Sequence, residues 1–248
     1  MEILSVEKIK KSFGDRTIID DVNISLQKGE LVSLLGVSGA GKTTLFNCIS
    51  GILTPDSGKI VLSGEDITGK PGRISYMLQK DLLLPYKKII DNVSLPLLLS
   101  GMKKKEAREK AAAHFESFGI AGTENCYPAE LSGGMRQRAA LLRTYLASSG
   151  VALLDEPFSA LDTITRSAMH TWYLSVMEKI DLSTIFITHD IDEAILLSDR
   201  ILILSGSPGT IAKEIVIEEP KPRRKDFNLT KEFIEYKKQV ISALGNVI

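Results

Sequence analysis

The chain has 248 residues, 44% of them hydrophobic, and its 31 lysines and arginines are balanced by 31 aspartates and glutamates. That is ample material for a large core, and the even charge removes the electrostatic argument for a nucleic-acid partner, since a binder of phosphate backbone carries a basic excess. The richest apolar run, Leu95-Pro96-Leu97-Leu98-Leu99, is far shorter than the roughly 18 residues of a membrane helix, and no basic flank precedes an apolar segment at the start, so a cytoplasmic chain that spans no bilayer is expected.

Residues 4–9 and 17–19 read as short strands, and Val22-Asn23-Ile24-Ser25-Leu26 alternates apolar and polar side chains as a half-buried strand does. Leu31-Val32-Ser33-Leu34-Leu35 is apolar in the manner of a strand covered on both faces, and it leads through a glycine-rich turn into a helix predicted over residues 42–50. From residue 90 to about 146 the composition shifts to helix formers, with helices predicted over 103–118 and 135–147. Strand character returns at 151–154, 184–188 and 201–204, with a helix over 165–180 between the first two. Strands alternating with helices predict a parallel sheet covered on both faces, here interrupted by a helical insertion at about residues 85–146.

The end reads as separate. Pro220-Lys221-Pro222-Arg223-Arg224-Lys225 breaks the pattern and is expected to be a solvated basic linker. Thr230 then caps a short helix whose Phe233, Lys237, Val240, Ile241 and Leu244 fall on one face. The division is therefore one domain over residues 1–219 and a linker with an amphipathic helix over 220–248. Cys48 and Cys126 stand outside any metal-binding spacing and are expected to be ordinary buried thiols, and His114 and His170 to be structural.

Gly36-Val37-Ser38-Gly39-Ala40-Gly41-Lys42-Thr43 matches G-x-x-x-x-G-K-[ST] and lies between a buried strand and a helix, where that motif functions. Its glycines let backbone N–H groups converge on phosphate oxygens, and the helix N-terminus adds about half a positive charge. Lys42 would reach the β- and γ-phosphates, and the Thr43 hydroxyl would enter a Mg²⁺ shell. Asp66-Ile67-Thr68-Gly69 imitates a GTPase element, but no Asn-Lys-x-Asp guanine reader is present.

Two further motifs narrow the class. Val151-Ala152-Leu153-Leu154-Asp155-Glu156 is an apolar strand ending in adjacent carboxylates that point in opposite directions. Asp155 suits Mg²⁺, and Glu156 suits a general base for water. Leu131-Ser132-Gly133-Gly134-Met135-Arg136-Gln137-Arg138 opens a helix with a serine and two glycines, a second anion-seeking helix start.

With these residues in this order, the chain resembles the nucleotide-binding subunit of an ATP-binding cassette (ABC) transporter over roughly residues 1–216. The resemblance implies an α/β P-loop NTPase (RecA-like) core with an N-terminal antiparallel β subdomain and an inserted helical subdomain. It implies an ATPase in which Phe13 stacks on adenine and Gly36 to Thr44, including Thr43 and Thr44, form the Walker A loop. Gln79 then touches Mg²⁺ and senses the γ-phosphate. Ser132, Gly133 and Gly134 belong to the signature loop, and Asp155 with Glu156 to the Walker B pair. Ser159-Ala160-Leu161-Asp162 is the loop after it, and His189 is the switch histidine that orients Glu156.

The resemblance also implies partners. Two chains would pair head to tail across two ATP molecules, each held by Lys42 of one copy and Ser132 of the other. A separate transmembrane permease would dock near residues 79–86, on a cluster of Asp81, Leu82, Leu83, Leu84, Pro85 and Tyr86. An extracytoplasmic substrate-binding protein would act indirectly, and the subunit would lie at the cytoplasmic face of the cell membrane. Leu83-Leu84-Pro85-Tyr86, Ile90-Asp91-Asn92-Val93, the signature segment and Pro220-Lys221-Pro222-Arg223-Arg224 are similar to the nitrate/sulfonate/taurine importer group, which implies import of a small organic molecule or anion. A soluble ABC-type ATPase of cofactor assembly is the alternative, and a nucleotide kinase a more distant one.

Overall fold

The computed structural model describes residues 1–159, 161–221, 223–224 and 226–245. Ala160 of the loop predicted after the Walker B pair, Pro222 and Lys225 of the predicted linker and residues 246–248 of the predicted tail lie outside the described residues. The chain begins with β1 (Glu2–Phe13), β2 (Arg16–Gln27), β3 (Leu31–Leu35), α1 (Lys42–Ile49), β4 (Ser57–Leu62), β5 (Glu65–Asp66) and β6 (Ser75–Met77). Then come α2 (Ile89–Val93), α3 (Leu95–Leu99), α4 (Lys104–Ala112) and α5 (Gly133–Ala147), followed by β7 (Val151–Asp155), α6 (Thr163–Met177), β8 (Ser183–Ile187), α7 (Ile191–Leu197), β9 (Arg200–Ser205), β10 (Thr210–Val216) and α8 (Lys231–Gly245).

Two sheets result. The N-terminal one is antiparallel, in the order β2-β1-β4-β5; the central one runs β10-β9-β3-β8-β7-β6, parallel except where β10 meets β9. β3 and β8 are buried at every position, as continuous apolar runs covered on both faces must be. Leu45, Phe46 and Ile49 of α1 pack in the core between the sheets with Leu4, Val6 and Leu26. A second core joins the central sheet to α2, α5 and α6 through Val93, Leu142, Leu154 and Tyr173.

The two runs predicted at 17–19 and 22–26 are one strand. Asp21 has φ +48° and Lys8 of β1 has φ +50°, and the pairing of β1 with β2 shifts register on both sides of the Ile9–Val22 pair. Such a bulge resets the period of two, which is why the alternation in the sequence looked broken. The helix expected over 103–118 ends at Ala112. There i to i+3 hydrogen bonds from His114 to Ala111 and from Phe115 to Ala112 tighten the chain and turn Phe115 and Phe118, 1% and 0% exposed, into the core. Strands β4, β5, β6 and β10 were not anticipated: β5 and β6 are very short, β4 is exposed over its first half, and β10 lies at a sheet edge with mostly exposed side chains.

The separateness expected of the end is corrected by the packing. Phe227, Phe233 and Val240 are buried against Leu35, Ile195, Ile203 and Ile215, each large side chain contributing roughly 1.5–3 kcal/mol. Thr230 does cap α8, accepting from Phe233 N at 3.2 Å, but Ile241 on the predicted apolar face is 51% exposed and Lys237 pairs with Asp192 of α7 at 2.6 Å. The basic segment is not a solvated linker. The Arg223 guanidinium donates to the carbonyls of Leu196, Ser198 and Glu219 and lies over Phe227, Lys221 pairs with Asp199, and Arg224 with Glu219.

Candidate active site

The glycine-rich turn after β3 is held by close backbone approaches. A Cβ on Gly36 would lie 2.4 Å from the Leu204 carbonyl oxygen, and one on Gly209, in the loop after β9, would lie 2.1 Å from the Ala40 oxygen. Gly39 and Gly41 take φ of +84° and +97°, open at no steric cost only to glycine. Gly41 is the N-cap of α1 and offers no side-chain cap, so the first amides of the helix stay available to an anion. Lys42 Nζ donates to the carbonyls of Gly36 at 2.7 Å and Val37 at 3.1 Å, folding over its own loop. Burial lowers its pKa, while Glu156 and Asp155 oppose that shift.

Asp155 ends β7, and Glu156 turns sharply with φ +46°, a left-handed conformation that costs a non-glycine residue about 1–2 kcal/mol. The turn is held by Glu156 N donating to the Ile187 carbonyl at 2.9 Å, and it brings the carboxylate between two predicted partners. Gln79 Nε2 donates to Glu156 Oε2 at 3.0 Å, and His189 Nδ1 lies 3.2 Å from Glu156 Oε1. Burial, and after it the neighbouring Glu156, pushes Asp155 above the ordinary carboxylate range; Tyr76 and Lys42 counteract this. The Tyr76 hydroxyl donates to Asp155 Oδ2 at 3.4 Å, and its own pKa is raised by burial.

Ser38, Gly39, Gly41, Lys42, Thr43, Thr44, Gln79, Asp155 and Glu156 line one cleft of about 470 Å³, together with Arg16, Ile18 and Ile187. Val37 and Ala40 line an adjoining space of about 370 Å³ that shares Arg16, Ser38 and Gly39. Gly36 forms the braced floor of the loop, Phe13 stands 53% exposed at the strand end paired with Arg16, and His189 reaches the site through Glu156. Ser132, Gly133 and Gly134 are not brought into this cleft. They begin α5, where the exposed Ser132 accepts from Met135 N at 3.3 Å.

The donors facing the cleft suit Mg²⁺. The Thr43 hydroxyl, the Asp155 carboxylate and the Gln79 amide oxygen are hard ligands, and so few protein donors beside a phosphate cradle match an ion that keeps waters and phosphate oxygens in its shell. Sequence reasoning missed the cleft-lining Arg16, and it missed Tyr76, which does not line the cleft but bonds Asp155. Arg16 carries no motif, although its place three residues after Phe13 at a hairpin is a usable signal; Tyr76 had none.

Behind His189 lies a buried polar cluster. Asp190 caps α7 by accepting from Glu193 N at 3.1 Å, but the Glu193 side chain does not return to the Asp190 amide. It accepts instead from the Thr188 hydroxyl at 3.2 Å, and that hydroxyl takes the Asp190 amide at 3.0 Å. Burial pushes the Glu193 pKa from 4.5 up to about 8, with Asp190 adding to the rise, and burial pulls His170, 3.9 Å away, down to about 4. A carboxyl whose folded pKa is raised stabilises the fold below its unfolded pKa, and this contribution is lost as pH rises through the folded value. Thermal midpoints should therefore fall between pH 4.5 and about 8 by an amount that Glu193→Gln removes, since glutamine keeps the acceptor for Thr188 and cannot ionise. Identical pH profiles for the two proteins would contradict this.

Residues 19–159, from β2 to just past Asp155 and Glu156, match the ABC transporter family. The chain is 44% identical to the formylaminopyrimidine import ATP-binding protein ThiZ of Halalkalibacterium halodurans over 225 residues, 90% of this chain and 88% of that one. It is 38% identical to the aliphatic sulfonates import ATP-binding protein SsuB of Bacillus cereus over 242 residues, 96% of this chain and 94% of that one. Among solved structures, the dimeric bacterial ABC transporter cassette MJ0796 superposes with a TM-score of 0.74 at 26% identity, covering 87% of this chain and 99% of that one. A braced phosphate loop, paired carboxylates at the end of a parallel strand and these likenesses agree, and the chain belongs to the ABC transporter family.

Proposed function

We propose that this chain is the ATP-hydrolysing subunit of a membrane importer for a small organic molecule or anion, working as a head-to-tail pair of copies. The observation that carries the reading is Glu156, held between Gln79 and His189 at the mouth of the phosphate-loop cleft. The loop amides and the α1 N-terminus bind the phosphates, and Lys42 exchanges the carbonyls of Gly36 and Val37 for β- and γ-phosphate oxygens. Glu156 accepts a proton from the attacking water as the γ-phosphoryl group is transferred to it, yielding ADP and phosphate. Gln79 and His189 fix the direction of that carboxylate. Thr43, Asp155 and Gln79 are the residues that would hold Mg²⁺, which supplies charge neutralisation to the phosphates when bound. Phe13 offers a ring face for adenine, and Arg16 a cation on the same side of the cleft.

The exposed Ser132, with Gly133 and Gly134 at the start of a 15-residue helix, is left for the nucleotide of a second copy. An isologous pair makes both sites complete, so ATP joins the copies and its hydrolysis frees them. Among the described residues no helix is long and apolar enough to cross a membrane, and transport then requires a separate permease. The docking cluster is narrower than its sequence suggested: Leu83 is core at 7% exposure, while Leu82 and Tyr86 stand out at 53% and 73%.

Purification from gently solubilised membranes tests the reading. A polytopic membrane protein should accompany the chain, and ATPase activity should follow transport substrate supply in the reconstituted complex. A chain recovered alone in the soluble fraction with its ATPase intact would favour the cofactor-assembly alternative. Tyr86→Asp should keep the ATPase of the isolated chain within about twofold, since the ring is exposed, and reduce transport by the complex about tenfold through a buried charge at the interface. Wild-type uptake by that variant would refute docking at this surface.

A further inference from the structure

Arg166 lies in the first turn of α6, and its guanidinium joins two loops that arise from different strands. Its Nη2 donates to the Leu161 carbonyl at 2.9 Å, in the loop that follows Glu156, and its Nη1 donates to Asp190 Oδ2 at 3.4 Å, directly after His189. Asp190 divides its carboxylate, giving the other oxygen to the amide of Glu193. The loop is bonded back to its origin: Leu161 N donates to the Phe158 carbonyl at 3.2 Å and Ser159 N to the Glu156 carbonyl at 3.2 Å. The contact between His189 Nδ1 and Glu156 closes the circuit at 3.2 Å.

We propose that Arg166 is a positioning residue that keeps His189 in register with Glu156 by tying the loop after Glu156 to the loop after His189. The His189 side chain is 62% exposed, so packing does little to hold the ring. Its place depends on the backbone on either side, which is fixed by buried Thr188 and by Asp190. Arg166 and Asp190 are themselves 26% and 31% exposed, sheltered enough for a charge-assisted contact to fix geometry and not buried so deeply that desolvation cancels it. An arginine suits the tie because the separate nitrogens of its planar fork meet acceptors in different directions, whereas the donors of a lysine ammonium all radiate from one atom on a flexible stem. A loop displacement of about 1 Å suffices to cost up to 10²-fold in rate. Since Leu161 also packs within 3.8 Å of where a Gly133 side chain would stand, the same tie links the site to the signature helix of its own chain.

The kinetic part of this inference rests on the ATPase reading; the geometric part does not. The test uses the full chain with Arg166→Met, Arg166→Lys, Asp190→Asn and the Met/Asn double variant. Asparagine retains the helix cap and gives up the charge. Each single variant should lower kcat about tenfold with KM for ATP within about twofold, and the double variant should fall no further than the worse single one. With three histidines in the chain, the imidazole nitrogens can be followed individually by ¹⁵N NMR: those of His189 should shift in every variant while those of His114 stay in place. Wild-type kcat in a folded Arg166→Met or Asp190→Asn protein, additive losses in the double variant, or unmoved His189 signals would each overturn the tie. Should Arg166→Met fail to fold, Arg166→Lys and Asp190→Asn carry the same comparison. A wild-type chain that turns over no ATP would sink the functional reading, and the His189 signals would still decide the tie.

Discussion

Glu156→Gln should lower ATP turnover by about 10²–10⁴-fold, the range contributed by a positioned general base, while leaving ATP bound. Glutamine has nearly the same shape and keeps an oxygen for the Gln79 amide, which lies 3.0 Å from Glu156 Oε2, so the cleft should not collapse. What disappears is the group that takes the proton from water. With hydrolysis blocked, the joined state accumulates, and light scattering in the presence of ATP should report twice the monomer mass. Turnover within about tenfold of wild type would remove Glu156 from the role of base. A variant that stays monomeric with ATP at high concentration, even beside its membrane partner, would refute the pair of copies.

Lys42→Ala should weaken ATP binding by about 10²-fold or more, since a hydrogen bond to a charged group contributes roughly 1.5–3 kcal/mol and Lys42 has at least two to offer. The fold should survive, because the bonds the ammonium makes among the described residues go to the Gly36 and Val37 carbonyls of its own loop. Titration with a fluorescent ATP analogue, alongside a thermal midpoint, separates lost affinity from lost structure. Lys42→Arg should also bind poorly: the guanidinium is wider, and the cradle is closed behind by Leu204 and Gly209. Wild-type affinity in Lys42→Ala would mean that the cleft does not hold phosphates in the way described.

The parts of the site that were legible beforehand are those whose chemistry is local. The phosphate loop needs positive φ at Gly39 and Gly41 and a helix start at Lys42, all within a few consecutive residues. The cap of α5 by Ser132 and the adjacency of Asp155 and Glu156 are local in the same sense. Gln79 and His189 were legible only through family resemblance, because nothing in their immediate neighbours marks them. The boundaries that were missed share a cause. The bulge at Asp21 and the tight turn at His114 follow from pairing and packing with distant segments, which local propensity does not encode.

The sequence by itself determined the phosphate-binding loop and the paired carboxylates, and through its resemblance the family of the chain. It could do so because nests, helix ends and strand ends are set by a handful of adjacent backbone angles. Tertiary structure alone decided that Gln79, Glu156 and His189 meet, since they follow β6, β7 and β8 and become neighbours only in the strand order β3-β8-β7-β6. It also decided that Arg16 enters the cleft, that Arg166 bridges two loops, and that the basic tail packs against the core. Strand order depends on which apolar faces bury best against one another over the whole chain, a sum over distant contacts that no local pattern carries.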